Sequence, residues 1–240
     1  MKANILLAFA LITALSTLSC SDKTTQEKQA TAVIPASSVS GKEFAAKLDE
    51  LGYFKYVNPK DVQALKDTIT KDFDPGASPV TIWDNETGIP KDYRLYMCDG
   101  ETLFEAGGFT SMLTELQPAF DKIGLKMTVT NHTEEWDTKT NSLNHSITIN
   151  GNNYTIFKNF KETGWGEAAQ TFADIINTEL TLQKKEDRVY LIHGGNEGSI
   201  IFLNEKQFKY MYSVFTDKEW KPLSVKEWCK VMDVKPLKIN

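Results

Sequence analysis

The sequence predicts an α+β fold: a mostly antiparallel sheet built from hairpins, with helices packed on it in a single domain. Two observations carry that prediction. Residues 145–203 read as hairpin, helix, hairpin, the apolar spacing changing from strand-like to helical and back. Hairpins favour antiparallel pairing, and elsewhere too strand patterns are interleaved with helical ones. Composition agrees: of 240 residues, 41% are hydrophobic and 25% charged, ordinary values for a globular chain.

Residues 1–19 read as an export signal. Lys2 supplies the positive start, Ile5 to Leu15 the apolar stretch, and Thr17-Leu18-Ser19 a small-residue end. The apolar run is short for a membrane span. Cys20 follows directly. Leu18-Ser19-Cys20 resembles the end of the lipobox of bacterial lipoproteins, with Thr17 where that pattern prefers leucine. Ser21-Asp22-Lys23 is similar to the acidic export tag of surface lipoproteins in some Gram-negative groups, with a single acid. The resemblance covers the first 22 residues and says nothing of the body. It implies lipidation of Cys20 and a protein anchored by acyl chains in the bacterial cell envelope, facing the periplasm or the surface. Thr17-x-Ser19 also suits ordinary signal peptidase, which would leave no anchor. Residues 20–40 are polar and low in complexity and read as a flexible tether.

The folded domain is expected over residues 41–240. Ser40-Gly41-Lys42-Glu43 is a capping box ahead of Phe44, Leu48 and Leu51 at helical spacing, and Gly52 stops that helix. Asn58-Pro59-Lys60-Asp61 opens a second helix with Val62, Leu65 and Ile69 on its apolar side. Val80 to Trp83 has the look of a short strand. Tyr93 to Phe104 carries a hairpin signal at Asp99-Gly100. Phe109 to Ile123 has helical spacing, split or kinked by Pro118. Leu125 to Thr130 alternates as a strand. A hairpin, glycines and a helix thus occur twice, here and over 145–183, as a weak structural echo.

For the later hairpin, a turn centred on Gly151-Asn152 pairs Ile149 with Tyr154 and Ile147 with Ile156. Centring it on Asn150-Gly151 sets the polar Asn152 opposite Ile149, a poorer pair, so the first register is preferred. Ala168, Ala169, Phe172, Ile175, Ile176 and Leu180 form one helical stripe, expected against the Ile147/Ile149/Tyr154/Ile156 face. Val189–Ile192 and Ser199–Leu203 form the next hairpin, joined by the glycine-rich 193–198 loop. Asn204-Glu205-Lys206-Gln207 and Ser224-Val225-Lys226-Glu227 cap the last two helices.

Function is far less legible. The net charge of -5 comes without a basic stripe, which argues against nucleic acid as a partner. Of the three histidines, His132 and His145 are candidate binding residues: His132-Thr133-Glu134-Glu135 and His145 could meet across neighbouring strands, and two imidazoles with a carboxylate suit zinc. No recognised metal spacing accompanies them, so no metal or cofactor is assigned. Asp99, Glu101, Glu105 and Glu134-Glu135 are ordinary groupings in a chain with 32 acids. Trp136 and Trp165 flank loops, where exposure would offer a stacking surface for a sugar or an anchor for a protein; burial is the commoner fate. Cys98 and Cys229 are expected as free, buried thiols, since nothing local brings them together. The leading expectation is a membrane-anchored binding or interaction domain with an unidentified protein or glycan partner. Its rivals are an envelope hydrolase using carboxylates and a histidine, and an immunity-type protein that neutralises a toxin.

Overall fold

The segment 199–203, Ser-Ile-Ile-Phe-Leu, is buried at every position, and its side chains alternate between two cores. Ile200 and Phe202 join one, Ile201 and Leu203 the other. Only a strand covered on both faces does this. A computed structural model describes residues 39–239, and in it this strand lies at the centre of a three-stranded antiparallel sheet. β1 (Leu95–Met97) and β5 (Arg188–Ile192) flank β6 (Ser199–Leu203). The neighbours keep the alternation: Tyr96, Val189 and Leu191 face the first core, Leu95, Tyr190 and Ile192 the second. The signal segment, Cys20 and almost all of the tether lie outside the described residues.

Helices α1 (Gly41–Glu50), α2 (Val62–Asp72) and α7 (Glu205–Val214) contribute to the second core. The expected capping boxes hold α1 and α7: Ser40 accepts from the Glu43 N–H and Asn204 from the Gln207 N–H. Asn58 makes no such cap; Pro59–Asp61 forms a 3-10 turn and α2 starts after it. The first core holds the 18-residue α6 (Trp165–Leu182) together with α4 (Gly108–Glu115), α5 (Gln117–Ile123) and α8 (Val225–Val231). Leu116 divides α4 from α5, where Pro118 predicted a split. On the far side of α6 lies a second antiparallel sheet, β2 (Val129–Asp137), β3 (Ser142–Ile149) and β4 (Asn152–Phe160), in sequence order. The α+β class is therefore right, with two three-stranded sheets rather than one.

A buried ionic network ties the second core together. The Arg94 guanidinium donates to Asp187 (3.1 Å), to the Phe202 carbonyl (2.7 Å) and to the Tyr53 carbonyl (2.8 Å). Asp187 also accepts from the Tyr56 hydroxyl at 2.7 Å. Burial opposes the charge on Asp187, yet Arg94 and Tyr56 hold its carboxyl below the usual carboxylate range.

Four local expectations are corrected. Asp99-Gly100 is no hairpin: Asp99 accepts from the N–H groups of Glu101 and Thr102 and caps a short helix, α3 (Gly100–Phe104). An Asp-Gly pair serves a helix cap as readily as a turn, and the repeated hairpin-glycine-helix echo falls with it. The strand expected over 125–130 begins at Val129 and runs to Asp137. Val80 to Trp83 supplies only an isolated bridge, Trp83 to Pro90.

The fourth correction concerns the β3–β4 register. The turn is Asn150-Gly151, both with positive φ (52° and 86°), and pairs Ile149 with Asn152 and Ile147 with Tyr154. Asn152 is not wasted opposite Ile149, because its amide donates to the buried Glu179 carboxylate at 2.9 Å. Glu179 also accepts from Asn150 (2.7 Å) and the Tyr154 hydroxyl (2.6 Å). The two registers differ by two residues, which preserves the face. Ile147, Ile149, Tyr154 and Ile156 therefore share one core with Phe172, Ile176 and Leu180, as expected.

Candidate metal centre

β2 is an edge strand, and none of its nine residues is fully buried. Its period-2 alternation sets His132, Glu134 and Trp136 on one face. β3 pairs with it so that Ile147 lies opposite His132, His145 opposite Glu134, and Leu143 opposite Trp136. The hairpin between them is set by Asp137, whose carboxylate accepts from the Lys139 N–H at 2.8 Å and the Thr140 hydroxyl at 2.8 Å, and by Asn141 at φ 51°. This loop fixes the register, and the register brings two histidines and an acid together.

The three side chains converge tightly. His132 Nε2 and His145 Nε2 are 2.9 Å apart, and Glu134 Oε1 lies 3.4 Å from the first and 3.2 Å from the second. A zinc ion about 2.0–2.1 Å from each donor in tetrahedral geometry holds its donors roughly 3.3 Å apart. The observed triangle is close to one face of that tetrahedron. Two imidazoles and one carboxylate also form the facial set used by ferrous iron. Among the described residues, this is the one group of three metal-ligating side chains close enough to share an ion.

The surroundings fix the donors. Glu134 uses its other oxygen, Oε2, to accept from the Gly107 N–H at 2.7 Å. Gly107 has φ 79° and precedes α4, a conformation a side chain would strain. That contact orients the carboxylate and leaves Oε1 aimed at the histidines. His145 is only 2% exposed and lies edge-on to Phe109, ring centroids 4.9 Å apart. Burial, with His132 beside it, pushes the His145 imidazole down to about 3. His145 is thus neutral at physiological pH, and its 3.2 Å approach to Glu134 is not an ion pair. A neutral imidazole keeps a lone pair, which is what a metal requires. The hydrogen-bonding alternative satisfies the cluster less fully: one shared proton joins the two Nε2 atoms, and Glu134 Oε1 competes for it.

Trp136 is 50% exposed and extends the same face beyond Glu134. It lines a cavity of about 200 Å³ with Phe104, Ala106, Leu143 and Glu134 itself. Trp165 is 37% exposed but opens α6, where its backbone abuts Gly100; it lines neither the donor triangle nor this cavity. Of the four binding candidates, the structure therefore groups His132, His145 and Trp136 and sets Trp165 apart. Glu134 completes the group. The sequence carried a signal for it in the spacing His132-x-Glu134, one strand repeat, but the partner position depends on the hairpin.

The other chemical candidates have structural duties. Asp99 caps α3. His193 stacks on Trp220, centroids 4.2 Å apart, and its ring Nδ1 lies 2.9 Å from the Gly194 carbonyl. Cys98 and Cys229 are free and buried, and burial raises their thiols to about 12 and about 11, far from the reactive thiolate range. Compared with protein families, curated proteins and solved structures, the chain matches none.

Proposed function

We propose that this chain is a lipid-anchored protein of the bacterial envelope whose folded domain binds a divalent transition metal through His132, Glu134 and His145. The observation that carries the metal assignment is the donor triangle, with edges of 2.9, 3.2 and 3.4 Å. The neutral His145 and the Gly107 contact on Glu134 support it. The lipobox-like Leu18-Ser19-Cys20 supports the anchor. Acyl chains on Cys20 followed by a polar tether would hold the domain at a membrane surface.

The test is equilibrium dialysis of the metal-stripped full chain against zinc. One equivalent should bind. His132→Gln and Glu134→Gln should each weaken binding by more than the ~10–100-fold that loss of an outer hydrogen-bond partner costs. Glu135→Gln, on the opposite face of β2, should leave affinity unchanged. No bound zinc, or equal affinity in all three variants, would refute the assignment. The anchor is tested separately: Cys20→Ala should move the protein from the membrane to the soluble fraction.

Metal-assisted hydrolysis is a second reading, because three protein donors with a fourth position left open is the arrangement of catalytic zinc sites. It predicts zinc-dependent turnover of an activated ester or phosphodiester that Glu134→Gln abolishes.

A further inference from the structure

We propose that the cavity beside Trp136 takes a small organic anion, a carboxylate on an aromatic or branched aliphatic body, whose head group completes the coordination of the metal. This rests on the metal-binding reading above and names the ligand class of the same site.

The cavity and the donor triangle share one wall, Glu134. The other lining residues, Phe104, Ala106, Trp136 and Leu143, are apolar. Leu143 lies directly opposite Trp136 in the strand pairing, so it forms the floor beside the indole. Phe104 is held edge-on to Phe157, centroids 5.4 Å apart, which gives that wall a fixed aromatic surface. A half-exposed tryptophan over such a floor loses water contact when a ring covers it.

Size and charge select the ligand. A cavity of about 150 Å³ accommodates benzene. The cavity here is about 200 Å³, so it takes a phenyl-sized body with a short acidic head. A divalent ion held by two neutral imidazoles and one carboxylate keeps a net positive charge, so its open position favours an anionic oxygen donor. His145 is the buried member of the triangle, whereas His132 and Glu134 are part-exposed, so the open position lies on the outer side, toward this surface. Without the ion, Glu134 is the charged residue on the cavity wall and repels an anion. Metal and organic anion therefore bind cooperatively, each raising the affinity of the other.

The experiment uses the full chain loaded with cobalt(II), which reports its coordination in the visible spectrum, with phenylacetate and acetate as probes. Phenylacetate should shift the cobalt bands and quench tryptophan fluorescence at a concentration at least about tenfold lower than acetate requires. Metal-free protein should respond to neither. Trp136→Ala should keep cobalt and the acetate response but lose the phenylacetate preference, which Trp136→Phe should retain in part. If phenylacetate is no better than acetate, if the preference survives Trp136→Ala, or if metal-free protein binds phenylacetate equally, the proposal is wrong while the metal reading stands. If no cobalt spectrum forms that depends on His132 and Glu134, both readings fail together.

Discussion

Every residue of β6 is buried, and no residue of β2 is. Both strands belong to three-stranded antiparallel sheets, yet they meet different demands. β6 separates two cores, so each of its side chains must be apolar or small whichever way it points. Its sheet admits ionic groups only in the closed Arg94–Asp187–Tyr56 network at its margin. β2 closes the other sheet with one unpaired edge, and polar side chains there cost little. The difference shows where this fold has room for chemistry. A histidine and an acid are tolerated on β2 because water reaches them, and the buried donor, His145, comes from the inner strand β3. The candidate site lies between a strand fixed by its core and a strand free to vary.

That contrast breaks most readily at the core. Phe172 on α6 is 1% exposed and packs edge-on against Phe109, which in turn touches His145. Phe172→Ala should cost about 3–5 kcal/mol in denaturant unfolding. A loss under about 1 kcal/mol would mean that α6 does not join the two sheets as described. Asp187→Asn should cost a comparable ~3–5 kcal/mol, because it leaves the Arg94 guanidinium buried and uncompensated. The metal site is remote from Asp187 in the sheet order, so zinc affinity of the folded variant should be unchanged; a coupled loss would mean that the two sheets do not act independently.

Glu179 sharpens the comparison through pH. Burial raises its carboxyl, but hydrogen bonds from Tyr154, Asn150, Asn152 and Gln183 outweigh that and hold it below its ordinary value of 4.5. A depressed folded value contributes stability that is full above the unfolded value and is lost as pH falls through the folded one. Glu179→Gln should therefore cost about 1.5–3 kcal/mol at neutral pH. The gap from wild type should narrow below roughly pH 4.5. A gap that stays constant down to pH 2 would show that the charge on Glu179 does not clamp the β3–β4 turn to α6. The smallest effect belongs to β2: Trp136→Ala should change stability by no more than about 0.5 kcal/mol. A larger loss would make that indole part of the core rather than a free surface.

The same two sheets explain what could be read from the sequence. β5 and β6 were legible as continuous apolar runs, and α6 as a helical stripe, because burial on every side leaves no ambiguity of composition. The capping boxes at Ser40 and Asn204 were legible because two side chains and two amides agree at a fixed spacing. The β3–β4 register was misread because pairing was judged between strands alone, while Glu179, 27 residues after Asn152, supplies the partners that make Asn152 a good neighbour. Asp99-Gly100 was misread because a turn and a helix cap use the same residue types. The site was half legible. His132, Glu134 and His145 carry the right chemistry, but their convergence depends on the hairpin at Asp137–Ser142, and no metal was assigned from spacing because the ligands come from two strands rather than one motif.

X-ray absorption at the zinc edge, on the full chain loaded with one equivalent, tests the central claim most directly. The account predicts a first shell of two imidazole nitrogens with oxygen donors at about 2.0–2.2 Å, and loss of one imidazole in His132→Gln. A shell of oxygen alone, a sulfur shell near ~2.3 Å from the cysteines, or an unchanged spectrum in His132→Gln would contradict it.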